Sequence, residues 1–402
     1  MERLDAKRFR LPIGPIHPAL KEPINFTFYI EGQKILEAVP RIGYVHRGIE
    51  KLAESRTYIQ NAYLVERTCG ICSATHLNTY CEVIEQLAEM SVPIRAQYIR
   101  ALILELERLH SHSLWVGIVG HEVGFETLFM NIWKDREIVM RLLEAISGNR
   151  VNYGMCCPGG VRRDLSTEII KQILEGLDEL ADSWMRYRDI ILQDPSINRR
   201  TKNVGVLGKE RAMELGTVGP TARASGISWD VRKNLPYCIY GELEFDVIVN
   251  EKGDVMSRLL SRVDEYMESI RICRQILDQI PGGEISGKEK RRMPSKWASA
   301  RSEAPRGELF YAIKGNDTDK PERLKIRTPT LANMQAMSEM LHGQYIADIP
   351  VIIAGIDPCI SCMDRVTIVD IEKPPSDRLM IRGEHLRQYG IQWYRDQFGA
   401  EN

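Results

Sequence analysis

Two stretches, Glu66-Arg67-Thr68-Cys69-Gly70-Ile71-Cys72-Ser73-Ala74-Thr75-His76 and Asp357-Pro358-Cys359-Ile360-Ser361-Cys362, decide how this chain is read. Each puts two thiols at i and i+3, one turn of helix or one tight knuckle, so both sulfurs of a pair face the same way. Thiolates are soft ligands that select zinc, copper(I), iron–sulfur or nickel–iron chemistry. A zinc ribbon with four cysteine ligands keeps its pairs roughly 15–20 residues apart, whereas most of the chain separates these two. Either the chain ends converge on one metal, or each pair finds partners in another subunit. A structural zinc site and buried free thiols are the plainer alternatives. Cys81, Cys156, Cys157, Cys238 and Cys273 read as buried small hydrophobes, and the adjacent Cys156-Cys157 is poorly placed to share one ion.

Composition narrows the class. At 402 residues, 44% hydrophobic and 27% charged, the chain can bury a substantial core in one or two domains. Its 54 basic and 55 acidic residues, net charge -1, leave no electrostatic footprint for nucleic acid. Nine cysteines, an odd count without local spacing, make a poor disulfide framework and fit a reducing compartment. No run reaches the roughly 18 apolar residues of a membrane span, and Met-Glu-Arg-Leu-Asp-Ala-Lys-Arg lacks an apolar signal region. Membrane attachment is expected to come through partners.

Between the cysteine pairs the pattern is mostly helical. Phe26, Phe28 and Ile30 alternate before a Glu31-Gly32 turn and a second extended run through Val39, an N-terminal hairpin. Ile99, Leu102, Leu106 and Leu109 form one helical stripe. Ile138, Leu142, Leu143 and Ile146 form another, ending at Gly148 as C-cap. A long helix is expected from Thr167 with Ser166 as N-cap, and one from Val255 to Leu277 that stops before Pro281-Gly282-Gly283. Residues 281–307 and 370–378 read as loops, and Arg365-Val366-Thr367-Ile368-Val369 as a strand. The expected fold is mainly α (α+β): a β-hairpin extension over 1–45, and a helix bundle with small β extensions over 46–402.

The cysteine pairs and their flanks resemble the large subunit of nickel–iron hydrogenases. Gly14-Pro15-Ile16-His17-Pro18, His46-Arg47-Gly48-Ile49-Glu50, Ser147-Gly148-Asn149-Arg150, Gly159-Gly160-Val161-Arg162-Arg163-Asp164 and Gly219-Pro220-Thr221-Ala222-Arg223 extend the resemblance over nearly the whole chain. They resemble the energy-converting, membrane-associated branch (group 4), which is related to the 49-kDa subunit of respiratory complex I. The resemblance implies a Ni–Fe(CN)2CO centre, with Cys69 and Cys359 terminal on nickel and Cys72 and Cys362 bridging nickel and iron. It implies that Glu50 is the proton-gate glutamate, with Glu22 a second candidate. It sets Arg306 over the open metal position, paired with Asp357, which tunes the sulfurs through hydrogen bonds behind them. His76 reads as a hydrogen-bond partner of a thiolate or as a satisfied core histidine. His112 stands on the 97–117 helix, and His17 matches a quinone-site histidine of the complex I relatives.

The implied partners are a small subunit of complex I 20-kDa type carrying a 4Fe–4S cluster, a ferredoxin-like polyferredoxin subunit, a 30-kDa-type subunit, membrane ion-translocating subunits and reduced ferredoxin as donor. The implied place is the cytoplasmic face of the membrane. One departure stands out: Arg365 occupies the position three residues after the last cysteine, where uptake hydrogenases carry a histidine. A distal magnesium or iron ion held by that histidine is therefore not expected. A quinone- or sulfur-reducing subunit without hydrogen chemistry, expected to lose one or more of the four thiols, is the alternative.

Overall fold

Strict alternation makes Asn25–Glu31 (β2) a half-buried strand, with Phe26, Phe28 and Ile30 on its buried face. The Gly32 turn (φ 60°) returns the chain into Lys34–Arg41 (β3). Beyond the expected hairpin, Arg8–Ile13 (β1) adds a third antiparallel strand, in the order β1-β2-β3. The computed structural model describes residues 8–288 and 290–366, together with 388, 391, 392, 395 and 396.

Past this sheet, α1 (Ile49–Ala53), α2 (Tyr58–Glu66), α3 (Ser73–Ala88), α4 (Ile94–Glu122) and α5 (Glu126–Ser147) follow, then a two-stranded ribbon of β4 (Cys156–Cys157) and β5 (Gly160–Val161). After α6 (Thr167–Gln193) come four short helices, α7 (Pro195–Thr201), α8 (Lys209–Glu214), α9 (Gly219–Arg223) and α10 (Val231–Asn234). α11 (Val255–Gln279) leads to an antiparallel sheet of β6 (Trp297–Ala304), β7 (Gly307–Lys314) and β8 (Arg323–Arg327), with β7 central. α12 (Pro329–Leu341), α13 (Ile349–Gly355) and α14 (Ile360–Met363) complete the described elements.

The long helices start and stop where side chains can satisfy their ends. Ser166 accepts the Ile169 N–H at the start of α6, Asp254 accepts the Ser257 N–H at the start of α11, and Gly148 (φ 82°) ends α5. α4, α5, α6 and α11 bury their apolar stripes in one core around Leu102, Leu106, Leu143, Leu177, Val263 and Tyr266. A second core joins α2 and α3 to the β6-β7-β8 sheet and contains Cys69, Cys72, Cys359 and Cys362. A third lies between the N-terminal sheet and α12–α14. The two cysteine segments meet where these last two cores touch. Among the described residues no helix is long and apolar enough to cross a membrane.

Two expectations need correcting. Residues 281–307 are not a loop throughout, because Trp297–Ala304 is an edge strand paired along its length with β7. Its inward positions are Ala298, Ala300, Ser302 and Ala304, too small to give a strong apolar signal, and a buried Glu303–Arg223 ion pair adds to the ladder hydrogen bonds that hold it. Arg365 and Val366 are not in a strand; residues 367–369 and the 370–378 loop lie outside the described residues.

Candidate metal centre

α3 and α14 each begin immediately at a cysteine pair: Cys72 is the N-cap of α3 and Cys359 the N-cap of α14. Helix geometry thus directs each pair, and tertiary packing brings the pairs together across 290 residues, with Cys69 Sγ 3.4 Å from Cys359 Sγ. The sulfurs of Cys69, Cys359 and Cys362 lie within 4.8 Å of one another, and Cys72 hydrogen-bonds into the same group. All four are buried. Cys69 is held well below the usual thiol range, foremost by hydrogen bonds from Cys359, Cys362 and Cys72, with the positive charge of Arg306 adding to them. Convergence on one centre, the first of the two arrangements open to the sequence, is what the fold adopts.

Arg306 is delivered by the tight β6–β7 turn. Gly219 (φ +68°) and Gly307 (φ +129°) meet back to back there, and a Cβ on Gly219 would fall 2.3 Å from Gly307 Cα. The buried guanidinium donates to Asp357 Oδ1 at 2.6 Å, to the Asp357 carbonyl at 2.8 Å and to Ser111 Oγ at 3.2 Å. Burial opposes its charge, but Asp357 and the thiols of Cys359, Cys69 and Cys72 hold it above the usual guanidinium range. Asp357 adopts φ 57°, and its Oδ2 is buried without a partner. Both residues line a cavity of about 360 Å³ with Cys69, Cys359, Glu22, Leu114 and Trp115.

The two glutamates singled out from the sequence part company. Glu22 lines that cavity, and its Oε2 accepts the N–H groups of Ile360 and, at 3.1 Å, Ser361, between the last two cysteines. Glu50 faces a different cleft, lined also by Thr68 and Cys362. It accepts the Ile326 N–H at 2.9 Å and pairs with Arg365 at 3.2 Å and with Arg323 and Lys325 at 3.7 Å. Three cations thus gather on one carboxylate where the sequence offered a relay. Arg47, from the same motif, donates to the carbonyls of Arg67 at 2.9 Å, Thr68 at 2.6 Å and Ser361 at 2.9 Å, tying the two cysteine segments together.

The model of the respiratory-chain NADH dehydrogenase 49 Kd subunit matches residues 122–300 and 286–365, and that of nickel-dependent hydrogenases matches residues 47–116. Carbon monoxide-induced hydrogenase of Rhodospirillum rubrum is 42% identical over 89% of this chain and 99% of that protein. The membrane-bound hydrogenase subunit alpha of Pyrococcus furiosus is 40% identical over 90% of this chain and 88% of that protein. The chain belongs to the large-subunit family that membrane-bound nickel–iron hydrogenases share with the complex I 49-kDa subunit. Among solved structures, a chain of the membrane-bound sulfane sulfur reductase, an archaeal respiratory membrane complex, superposes with a TM-score of 0.86 at 30% identity, over 90% of this chain and 100% of that one. The family is one of oxidoreductase subunits of membrane complexes.

The residues present fit the family's nickel–iron group. The donor set is four soft, buried thiols, and the orphaned Oδ2 of Asp357 beside the cavity is a buried polar atom that a bound group would satisfy. Other expected participants stand further back. His76 pairs through Nδ1 with the Tyr311 hydroxyl at 2.6 Å, and its Nε2 is buried without a partner. Burial pushes it down to about 4. His112 pairs with Glu265 at 3.0 Å in the helix bundle, and His17 is exposed on the loop after β1, where Nδ1 accepts the Ala19 N–H. Sequence reading passed over Glu107, Ser111 and Thr330, whose hydroxyl oxygen accepts the Cys359 N–H at 3.0 Å. For Glu107 a signal existed: Glu105, Glu107 and Arg108 interrupt the apolar run of residues 101–109 within α4, and all three are buried.

Proposed function

We propose that this chain is the catalytic large subunit of an energy-converting nickel–iron hydrogenase, interconverting protons, electrons and H2 (2H⁺ + 2e⁻ ⇌ H2). One observation carries the reading: all four thiols of the two CxxC pairs are present and buried, those of Cys69, Cys359 and Cys362 within 4.8 Å of one another and hydrogen-bonded with Cys72, and Cys69 and Cys359 share a cavity with Arg306. Cys69, Cys72, Cys359 and Cys362 would hold the Ni–Fe(CN)2CO group. When bound, that group supplies the redox site at which H2 is split or formed.

The chain's own residues bind, orient and move protons. Arg306, fixed by two hydrogen bonds to Asp357, keeps its planar positive group against the cavity wall beside Cys359. Cys359 Sγ takes up a proton. Glu22, whose cap uses only Oε2, receives it at Oε1 and passes it along the cavity. Glu50, first by motif, serves better as a brace that joins β8 and Arg365 behind Cys362. Electrons would come from reduced ferredoxin through a 4Fe–4S cluster in a small partner subunit, since this chain has no cluster motif of its own. Polyferredoxin, 30-kDa-type and ion-translocating membrane subunits would hold the chain peripherally at the cytoplasmic face.

The likeness to the sulfane sulfur reductase supports a second reading, reduction of sulfur on the same scaffold. The purified complex, supplied with reduced ferredoxin, separates the two. The first reading expects H2 evolution, abolished together with bound nickel in Cys72→Ser and Cys362→Ser, because an alkoxide replaces a soft thiolate poorly. Sulfide production from polysulfide without H2 establishes the second.

A further inference from the structure

α3 has sixteen residues and a buried N-terminus, yet its N-cap residue, Cys72, makes no capping hydrogen bond. An N-cap side chain ordinarily supplies an oxygen to the N–H of the second or third helical residue, which otherwise lacks a partner. Here those donors are Ala74 and Thr75, and both are satisfied from another helix. Glu107, fully buried in the middle of α4, accepts the Ala74 N–H at 2.6 Å through Oε1 and the Thr75 N–H at 2.9 Å through Oε2. The hydroxyls of Thr75 and Ser73 add bonds of 2.6 and 3.3 Å to the same carboxylate. The second pair repeats the device: Cys359, N-cap of α14, makes no capping bond, and Glu22 accepts the N–H groups of Ile360 and Ser361.

We infer that Glu107 is a positioning residue of the metal centre, supplying from α4 the helix cap that Cys72 cannot supply while its thiol is committed to metal. The inference rests on the reading of Cys72 as a ligand. A thiolate is itself an acceptor, and the N–H groups and dipole of a helix N-terminus attract it. With Glu107 in place those N–H groups are occupied and Cys72 Sγ is left to hydrogen-bond with Cys362 and Cys69. Without it, the Ala74 and Thr75 donors compete with metal for the Cys72 sulfur. Burial pushes the Glu107 carboxyl up to about 8, so a neutral glutamine is a near mimic there.

The test uses the assembled, metal-loaded complex. Nickel release into excess chelator is followed together with the infrared bands of the iron-bound CO and CN. Glu107→Ala is expected to release nickel about tenfold faster, as loss of one to two buried hydrogen bonds implies, and to displace the bands. Glu107→Gln, which keeps one acceptor, recovers most of the loss. Glu105→Gln is the control: two residues away, with Glu105 bonded to Arg232, Tyr240 and Ser269, it lowers the unfolding temperature but leaves release and bands unchanged. If Glu107→Ala does not accumulate, Thr75→Val, which deletes one bond to the same carboxylate, must still speed release by about threefold. Wild-type release and bands in Glu107→Ala, or wild-type release in Thr75→Val, overturn the inference. Wild-type complex that contains no nickel overturns the ligand reading instead.

Discussion

Arg47 offers the sharpest perturbation of the pocket from outside it. Its guanidinium makes three hydrogen bonds of 2.6–2.9 Å to carbonyls on both cysteine segments, two just before Cys69 and one between Cys359 and Cys362. It is exposed, so each charged bond contributes on the order of 1 kcal/mol. Arg47→Met therefore loosens the closure of the two segments by about 2–3 kcal/mol. At 1.4 kcal/mol per tenfold, nickel affinity falls roughly 30- to 150-fold. Arg47→Lys keeps the charge but not the fork that reaches three acceptors, and loses about tenfold. The assay is equilibrium competition for nickel against a chelator of known affinity. Circular dichroism should show helix content unchanged, because the four-helix core lies elsewhere. Wild-type nickel affinity in Arg47→Met would refute the argument that this side chain holds the halves of the site together.

Two further outcomes follow from the same geometry. Glu22→Gln retains an acceptor for the Ile360 and Ser361 N–H groups and should keep the metal, while H/D exchange with solvent falls about a hundredfold; Glu50→Gln should lower the unfolding temperature and leave exchange unchanged, and the reverse result would return the relay to Glu50. For pH dependence, burial pushes His112 down to about 4 from 6.5, so the fold holds it neutral. As pH falls below 6.5 the unfolded chain gains a proton that the folded chain refuses. Stability intact above 6.5 is then lost down to about 4, by up to about 3 kcal/mol. His112→Gln should flatten that stretch of the unfolding curve, and an unaltered slope would assign the acid sensitivity to other groups.

Features carried by repeated side-chain pattern were legible without coordinates. The apolar stripes of α5, α6 and α11, the caps Ser166 and Gly148, the alternation of β2 and the spacing within each CxxC pair each depend on residues close in sequence. What stayed hidden depends on contacts across hundreds of residues. Strand β6 buries Glu303 against Arg223, and its inward alternation runs through Ala298, Ala300, Ser302 and Ala304, too small to mark it as a strand from residues 297–304 alone. Glu22 and Glu50 look alike in the chain, and only the fold shows that one caps the Cys359 turn while the other faces Arg323, Lys325 and Arg365. A helix is ordinarily capped by the residue before it; at both cysteine pairs that residue is the cysteine, and the cap comes from elsewhere.

Metal content tests the central claim most directly. The complex is purified under hydrogen and analysed for nickel, iron and zinc, with the iron of partner clusters subtracted by reference to a Cys362→Ser complex. A nickel–iron centre on Cys69, Cys72, Cys359 and Cys362 gives nickel and residual iron in equal amounts, both absent from the variant, and no zinc. Zinc alone, or a full complement of partner iron with no nickel, would contradict it.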